Sequence, residues 1–259
     1  MAETGGRLAG ETAIVTGSTS GLGKQIALGF AAEGARVAVT GRNRERGAAM
    51  VAQIGEAGGE AVFLPADLSR PEDCEELVRQ VVERFGTLSV LVNNAVDASR
   101  DGPLLEVEID SWEQKLRVNL TAAAWLCRAA LPPMIERGGG SIVNVSSRAA
   151  ERGTPGLAAY TASKGGLNAL TRSIAIDYAD RGIRCNSITP GYILHETRDR
   201  DMDAAKRARV EGQHLTRLAT AEDVTWACVF LASRESEVIT GIDLPVSGGS
   251  TTARGLSFG

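Results

Sequence analysis

Short runs of β-branched residues alternate along this chain with longer amphipathic stretches, an order that leaves few folds open. Strands so far apart in sequence cannot close as tight hairpins. They require βαβ crossovers, and so a parallel sheet covered by helices. Residues 13–16, 36–40, 61–65, 88–92, 141–145 and 183–188 read as strands, with 242–246 as a candidate seventh. Between them, 21–33, 43–57, 71–85, 110–137 and 157–181 read as helices, and a last helix begins near Ala221. Leu22, Ile26, Ala27 and Phe30 gather on one side of the first helix, and Pro71 sits in the first turn of the third, where its missing N–H is harmless. No repeat, low-complexity tract or Pro/Ser-rich linker interrupts the pattern, so residues 1–259 read as one α/β domain.

Charge and sulfur narrow the function classes. Lys and Arg number 28 against 32 Asp and Glu, a net charge of −4 with no dense basic run, which argues against a nucleic-acid partner. Cys74, Cys127, Cys185 and Cys228 lie far apart, with no CxxC pair or Cys/His cluster. Four buried reduced thiols are expected, with no metal site and no disulfide framework. No stretch approaches the roughly 18 consecutive apolar residues of a membrane span, and the N-terminal residues lack the basic-then-apolar order of a signal peptide. The expectation is a soluble cytoplasmic protein with no membrane partner. Glycine is the exception to ordinary composition: there are 30 in 259 residues, against an average of about 7%. Backbone therefore passes close to something in several places.

Three groups of residues suggest what that is. Thr16-Gly-Ser-Thr-Ser-Gly-Leu-Gly23 follows the first strand and opens the first helix. Gly17, Gly21 and Gly23, spaced GxxxGxG, permit a tight turn, keep Cβ atoms away from a phosphate and let helix and strand pack closely, while the helix start offers N–H groups to an anion. The second strand ends in Val39-Thr-Gly-Arg-Asn43. A carboxylate there would bind a ribose 2′-hydroxyl, whereas Arg42 suits a 2′-phosphate, so NADP(H) is favoured and NAD(H) second; Ser20 adds no further basic group. Tyr160 and Lys164, at i and i+4 of one helix, share a face. A phenol of ordinary pKa about 10 is a poor acid or base at neutral pH, and a neighbouring ammonium stabilises its phenolate. Singly, each group also fits a plain structural reading: a Gly-rich turn, a solvated arginine, a helix-surface pair.

In this order, and from the glycine turn to Gly249, they resemble the short-chain dehydrogenase/reductase family in its single-domain branch of about this length. Asn93-Asn94-Ala95 is similar to that family's NNAG segment, which supports the sheet and flanks the adenosine. Ser147, thirteen residues before Tyr160, stands at the family's catalytic serine and Asn119 at its catalytic asparagine. Asp67 and Leu68 resemble the pair that contacts adenine, and Pro190-Gly191 the turn beside the nicotinamide. The resemblance implies a doubly wound Rossmann fold with a central parallel sheet. It implies nucleotide contacts from Gly17, Thr19, Ser20, Gly21, Leu22, Gly23, Arg42, Asp67, Leu68, Asn94, Ala95, Tyr160, Lys164, Pro190, Gly191 and Ile193. It also implies hydride transfer between NADP(H) and a carbonyl or secondary alcohol: Tyr160 trades the proton, Ser147 holds the substrate oxygen, Lys164 binds the nicotinamide ribose and lowers the Tyr160 pKa, and Asn119 holds a water linking Lys164 to solvent. A homotetramer is implied as well. Leu116, Leu120, Ala124, Cys127 and Leu131 of the long helix would be buried against another subunit, though their spacing equally fits an internal core face.

Several positions depart from the family pattern. Val96 replaces the glycine of NNAG, and residues 97–102 make a slightly long connection. His195 stands where a hydroxyl residue commonly follows the Pro-Gly turn, with Thr197 two residues on. His214 reads as incidental, and Trp112, Trp125 and Trp226 as helix packing residues. The charged segment 192–218 reads as a substrate lid, and 250–259 extends past the usual Gly-Gly ending. Gly165 and Gly166, mid-helix, are excused only by close packing. Arg100-Asp101-Gly102 echoes 3-oxoacyl-thioester (acyl-carrier-protein) reductases, the nearest rival within the enzyme class; a non-catalytic nucleotide-binding scaffold is the rival outside it. Steroid, sugar and polyol substrates stay open.

Overall fold

Successive residues of a strand point to opposite faces, and in the computed structural model of this chain, which describes residues 5–194 and 199–252, both faces of the inner strands are buried. Seven parallel strands are ordered β3-β2-β1-β4-β5-β6-β7: β1 (Thr12–Val15), β2 (Arg36–Gly41), β3 (Glu60–Pro65), β4 (Val90–Asn93), β5 (Gly140–Val145), β6 (Ile183–Pro190) and β7 (Asp243–Val246). Ala13, Val15, Val37, Val39, Val90, Val92, Val143 and Val145 enter one apolar cluster, together with residues of α1 (Gly21–Ala32), α2 (Arg44–Glu56) and α8 (Ala221–Ala232). The alternate residues Ile14, Ala38, Leu91, Ile142 and Cys185 enter the other, against α3 (Pro71–Phe85), α5 (Ala122–Glu136) and α6 (Ala158–Tyr178). The doubly wound parallel sheet expected from the sequence is thus present, with the candidate seventh strand paired to β6. Crossovers run outward from β1 through β2 to β3, then return past it to β4, so the strand order reverses between β1 and β4. Open α/β sheets bind ligands at the carboxyl ends of the strands at such a point.

Local chemistry sets the element ends. The Asn43 side chain accepts from Arg46 N–H (2.8 Å) at the start of α2, Pro71 opens α3, and Thr220 with Asp223 forms a reciprocal capping box on α8. Gly86, left-handed at φ +78°, closes α3.

Four sequence expectations are corrected. The single helix over 110–137 is instead α4 (Ile109–Leu116), a π turn (Arg117–Thr121) and α5, the π turn inserting one extra residue into the helical ladder. The long stripe expected at a subunit interface is partly internal: Cys127 and Leu131 lie in the second cluster, while Leu116, Leu120 and Ala124 are half-buried. Trp226 is not a packing residue; it is 41% exposed and donates to Glu222 Oε1 (3.3 Å). Of the two mid-helix glycines only Gly166 is closely packed, since a Cβ there would stand 2.7 Å from Leu120 Cδ2 and push that side chain aside, whereas Gly165 faces open space.

All four cysteines are buried and reduced. Burial pushes the Cys74 and Cys127 thiols up to about 12 and those of Cys185 and Cys228 above their usual range as well. Among the described residues no helix is long and apolar enough to cross a membrane.

Ile14, fully buried on the central strand, tests the two-sided core. Ile14→Ala should lower the unfolding free energy by about 2–5 kcal/mol in urea titrations, with the denaturant slope unchanged.

Candidate active site

The end of β1 is tied to the end of β4 through one hydroxyl. Thr16 Oγ1 donates to the Val92 carbonyl (3.2 Å) and accepts from the N–H groups of Asn94 and Ala95 (2.9 Å each), while Asn94 Nδ2 donates back to the Thr16 carbonyl (2.8 Å). The glycine turn starts from this knot. Gly17 and Gly21 take positive φ, +64° and +55°. A Cβ on Gly23 would fall 2.4 Å from both Asn94 Nδ2 and the Gly17 carbonyl oxygen, so α1 reaches the strand ends only because Gly23 has none. Ser18 clamps the neighbouring strand: its Oγ donates to the Val15 carbonyl (2.6 Å) and accepts from Thr40 N–H (3.0 Å). Thr19 packs over Gly41, where a Cβ would meet its Cγ2 at 2.9 Å. Ser20, exposed and extended at the N-cap of α1, makes no side-chain cap, leaving the helix start to an outside acceptor. Leu22 points the other way, against the first apolar cluster. The turn therefore has the form of an anion cradle that side chains have not filled.

Arg42 stands exposed just past β2, paired in register with β3, after which Asp67 follows. The Ser69 hydroxyl (2.8 Å) and N–H (3.1 Å) hold the Asp67 carboxyl below the usual carboxylate range, with a smaller contribution from the Arg42 charge. Leu68, half-buried, lines a small cavity of about 10 Å³ together with Thr16, Asn93, Ala95, Val118 and Asn119, room for about one water. Asn93 Oδ1, buried without a hydrogen-bond partner, belongs to the same wall, while its Nδ2 donates to Asn144 Oδ1 (2.8 Å).

Across the switch point lie the residues expected to do chemistry. Lys164 is 2% exposed; its Nζ donates to the Val145 carbonyl at the end of β5 (2.7 Å) and stands 5.9 Å from the centre of the Tyr160 ring. Burial pulls its pKa down to about 8. Ser147 lies two residues beyond that carbonyl and opens a 3₁₀ turn (Arg148–Ala150), its Oγ accepting from Ala149 N–H (3.1 Å). Asn119 occupies the π turn, where its Oδ1 accepts from Asp97 N–H (2.7 Å) and its Nδ2 donates to Ser163 Oγ (3.3 Å). Ser163 Oγ donates in turn to the Tyr160 carbonyl (2.7 Å). An ammonium, a phenol and a serine hydroxyl thus gather where β5 meets the start of α6, an arrangement suited to moving a proton to or from an oxygen.

At the end of β6, Gly191 N–H donates to the Val246 carbonyl (3.0 Å), and a Cβ on Gly191 would meet Ser247 Cα at 2.9 Å. Ile193 packs against the first cluster. His214, expected to be incidental, is buried beneath this turn: Nε2 accepts from Tyr192 N–H (3.4 Å) and Nδ1 lies 2.8 Å from the Val210 carbonyl of α7 (Ala204–Glu211). An imidazole that accepts at Nε2 donates at Nδ1, which links α7 to the Pro190-Gly191 turn. Thr16 and Ser163 were also missed by the sequence reading. Thr16 could have been found as the last residue before the glycine turn; nothing in the sequence marks Ser163 or His214. Val96 is 46% exposed. His195, Thr197 and residues 253–259 lie outside the described residues.

Known proteins resemble this chain in sequence and fold. Residues 17–251 match a family model described as enoyl-(acyl carrier protein) reductase. A 3β-hydroxysteroid dehydrogenase from Mediterraneibacter gnavus is 37% identical, covering 95% of this chain and 97% of the relative. A 3-oxoacyl-[acyl-carrier-protein] reductase from Staphylococcus aureus is 34% identical over 92% of this chain and 97% of that protein. The crystal structure of a gluconate 5-dehydrogenase from Burkholderia cenocepacia, in complex with NADP and tartrate, superimposes with a TM-score of 0.91 at 33% identity, covering 96% of this chain and 98% of that one.

The buried ammonium has a thermodynamic signature. With its pKa lowered from 10.5 to about 8 in the fold, Lys164 binds fewer protons folded than unfolded between those values. Stability therefore rises with pH across that window. The unfolding free energy of the wild type relative to Lys164→Met should increase from pH 8 to pH 10 in denaturant titrations; a flat or falling difference would contradict a desolvated ammonium.

Proposed function

The chain belongs to the short-chain dehydrogenase/reductase family, whose members named above are oxidoreductases of alcohol and carbonyl groups, and from that premise we propose an NADP(H)-preferring enzyme that interconverts a small-molecule carbonyl and a secondary alcohol. The observation that carries this reading is the Lys164 ammonium, anchored to the Val145 carbonyl and 5.9 Å from the Tyr160 ring, with Ser147 two residues past its anchor. A cation with little water around it acts through a low dielectric, so its pull on a neighbouring phenolate exceeds what a surface lysine would exert. Tyr160 then gives its proton to a substrate oxygen in reduction and takes one back in oxidation, while the Ser147 hydroxyl holds that oxygen in place.

The glycine turn fits a dinucleotide. Positive φ at Gly17 and Gly21, the absent Cβ of Gly23 and the uncapped start of α1 suit a pyrophosphate, with Thr19, Ser20 and Leu22 around it. Arg42 would hold a 2′-phosphate, Asp67, Leu68, Asn94 and Ala95 the adenosine, Lys164 and Tyr160 the nicotinamide ribose, and Pro190, Gly191 and Ile193 the nicotinamide side. A bound dihydronicotinamide supplies the hydride. The NADP in the Burkholderia gluconate 5-dehydrogenase supports the preference. Asn119, engaged by Asp97 and Ser163 beside a cavity the size of one water, would serve the proton path from Lys164.

Segment 192–218 is read as the substrate lid, with the His214 contacts as its fixed end. We read the chain as one domain and as a cytoplasmic homotetramer; Ile176, 80% exposed on α6, and Leu105, exposed before α4, suit burial between subunits. Reduction of a 3-oxoacyl thioester is the second reading, favoured by the Staphylococcus relative and by Arg100-Asp101-Gly102; acetoacetyl-CoA assayed beside sugar, polyol and steroid substrates separates the two.

Tyr160→Phe should lower turnover by about 10²-fold or more and leave the nucleotide dissociation constant nearly unchanged; retained turnover overturns the assignment. In fluorescence titrations Arg42→Ala should weaken NADPH by about tenfold or more and leave NADH alone. Equal NADH and NADPH affinity in the wild type, unaltered by Arg42→Ala, would remove the NADP(H) preference.

A further inference from the structure

The helix that carries Tyr160 begins without a cap of its own. Its N-cap residue is Leu157, at φ −132° and ψ 50°, with no side-chain acceptor to offer, whereas α2, α7 and α8 are each capped by their own Asn43, Asp203 or Thr220. The first N–H groups of a helix have no partner within it. In α6 the first three are all met by one segment more than fifty residues earlier. Ala158 N–H donates to the Gly102 carbonyl (3.3 Å), Ala159 N–H to Asp101 Oδ1 (3.4 Å), and Tyr160 N–H to Asp101 Oδ2 (2.9 Å). The same Oδ1 also accepts from Gly102 N–H (2.8 Å), which fixes the rotamer of the carboxylate. A negative charge here additionally meets the positive end of the helix dipole.

We propose that Asp101 is a positioning residue for the reaction: by capping α6 from the loop after β4, its carboxylate sets Tyr160 against Lys164. The two members of that pair are anchored differently. Lys164 lies one turn deeper, held from β5 through the Val145 carbonyl. Tyr160 is the third residue of the helix, so fraying of the first turn moves the phenol and leaves the ammonium in place. The loop supplying the cap is itself fastened to the helical segment on its other side. Lys115 Nζ, 1% exposed, donates to the Ser99 carbonyl (2.7 Å) and Oγ (3.0 Å), Ser111 Oγ donates to the Arg100 carbonyl (3.0 Å), and Asp97 N–H reaches Asn119. Segment 97–102 therefore ties the π turn to the start of α6, so whatever sets that loop sets the proton donor too.

The inference rests on Tyr160 being the proton donor, so Tyr160→Phe is assayed beside the Asp101 variants, with the best carbonyl or alcohol of the panel as substrate. Thr220→Ala, which removes the cap of α8, is the control for lost stability alone. Asp101→Ala should lower kcat by about fivefold or more with NADPH affinity within about twofold of wild type, and amide exchange at residues 159 and 160 should accelerate. Asp101→Asn, which keeps one acceptor oxygen but turns an NH2 toward another N–H, should recover part of the lost kcat, and Thr220→Ala should lower Tm while sparing kcat. A smaller loss in Asp101→Ala, no recovery in Asp101→Asn, or an equal kcat loss in Thr220→Ala would each overturn the proposal. If Asp101→Ala does not fold, Asp101→Ser, too short to reach both N–H groups, is judged by the same criteria. An active Tyr160→Phe is a different result, and sinks the reading of Tyr160 rather than the cap.

Discussion

Burial of the sheet on both faces is the constraint from which the rest of the molecule follows. With Val15, Val39, Val92 and Val145 packed on one side and Ile14, Ala38, Leu91 and Ile142 on the other, no polar side chain fits along the middle of a central strand without a partner. Buried polar side chains within the strands, such as Asn144 and Asn186, are hydrogen-bonded to neighbours, and those free to meet a ligand stand at the strand ends. Thr16, Ser18, Asn93, Ser147 and the carbonyl of Val145 all lie within three residues of where β1, β4 or β5 stops. There they bond one another and stay within reach of a ligand. The site lies where the apolar strands of the sheet end.

The same placement explains what could be read from the sequence. Strands were legible because two-sided burial writes them as runs of Val, Ile and Ala, and the glycine turn because Gly17, Gly21 and Gly23 are required for backbone reasons. Tyr160 and Lys164 were legible because helix spacing alone puts them on one face. What stayed hidden depends on contacts across the chain. Asp101 reads as a loop residue until the start of α6 arrives beside it, and His214 as a stray histidine until the turns at Gly191 and Gly248 close around it. Trp226 illustrates the opposite error: an aromatic on a helix was expected to pack, yet it lies on the solvent side. The π turn was invisible because no residue type demands it; packing of Leu120 against Gly166 and the two bonds made by Asn119 hold it open instead.

Lys164 displays the energetic tension of such a site. Its ammonium is buried against the neutral carbonyl of Val145, and desolvation lowers its pKa. In a molecule selected only for stability an apolar residue of similar size would serve better. The cost is localised where a positive charge with little water has chemical use, and the apolar clusters on either face of the sheet carry it.

The π turn also bears on how the gene can change length. An α-helix advances about 100° per residue, so removing one residue from 117–121 would let α4 and α5 join in a regular ladder and rotate one against the other by that angle. Leu126 and Cys127 would keep their seats in the core; Lys115 would swing away from Ser99, and the loop it fastens would be released. In a surface loop a single-codon deletion is usually absorbed. Here it would pass through a helix as a change of phase, so this short stretch should tolerate substitutions far better than gaps.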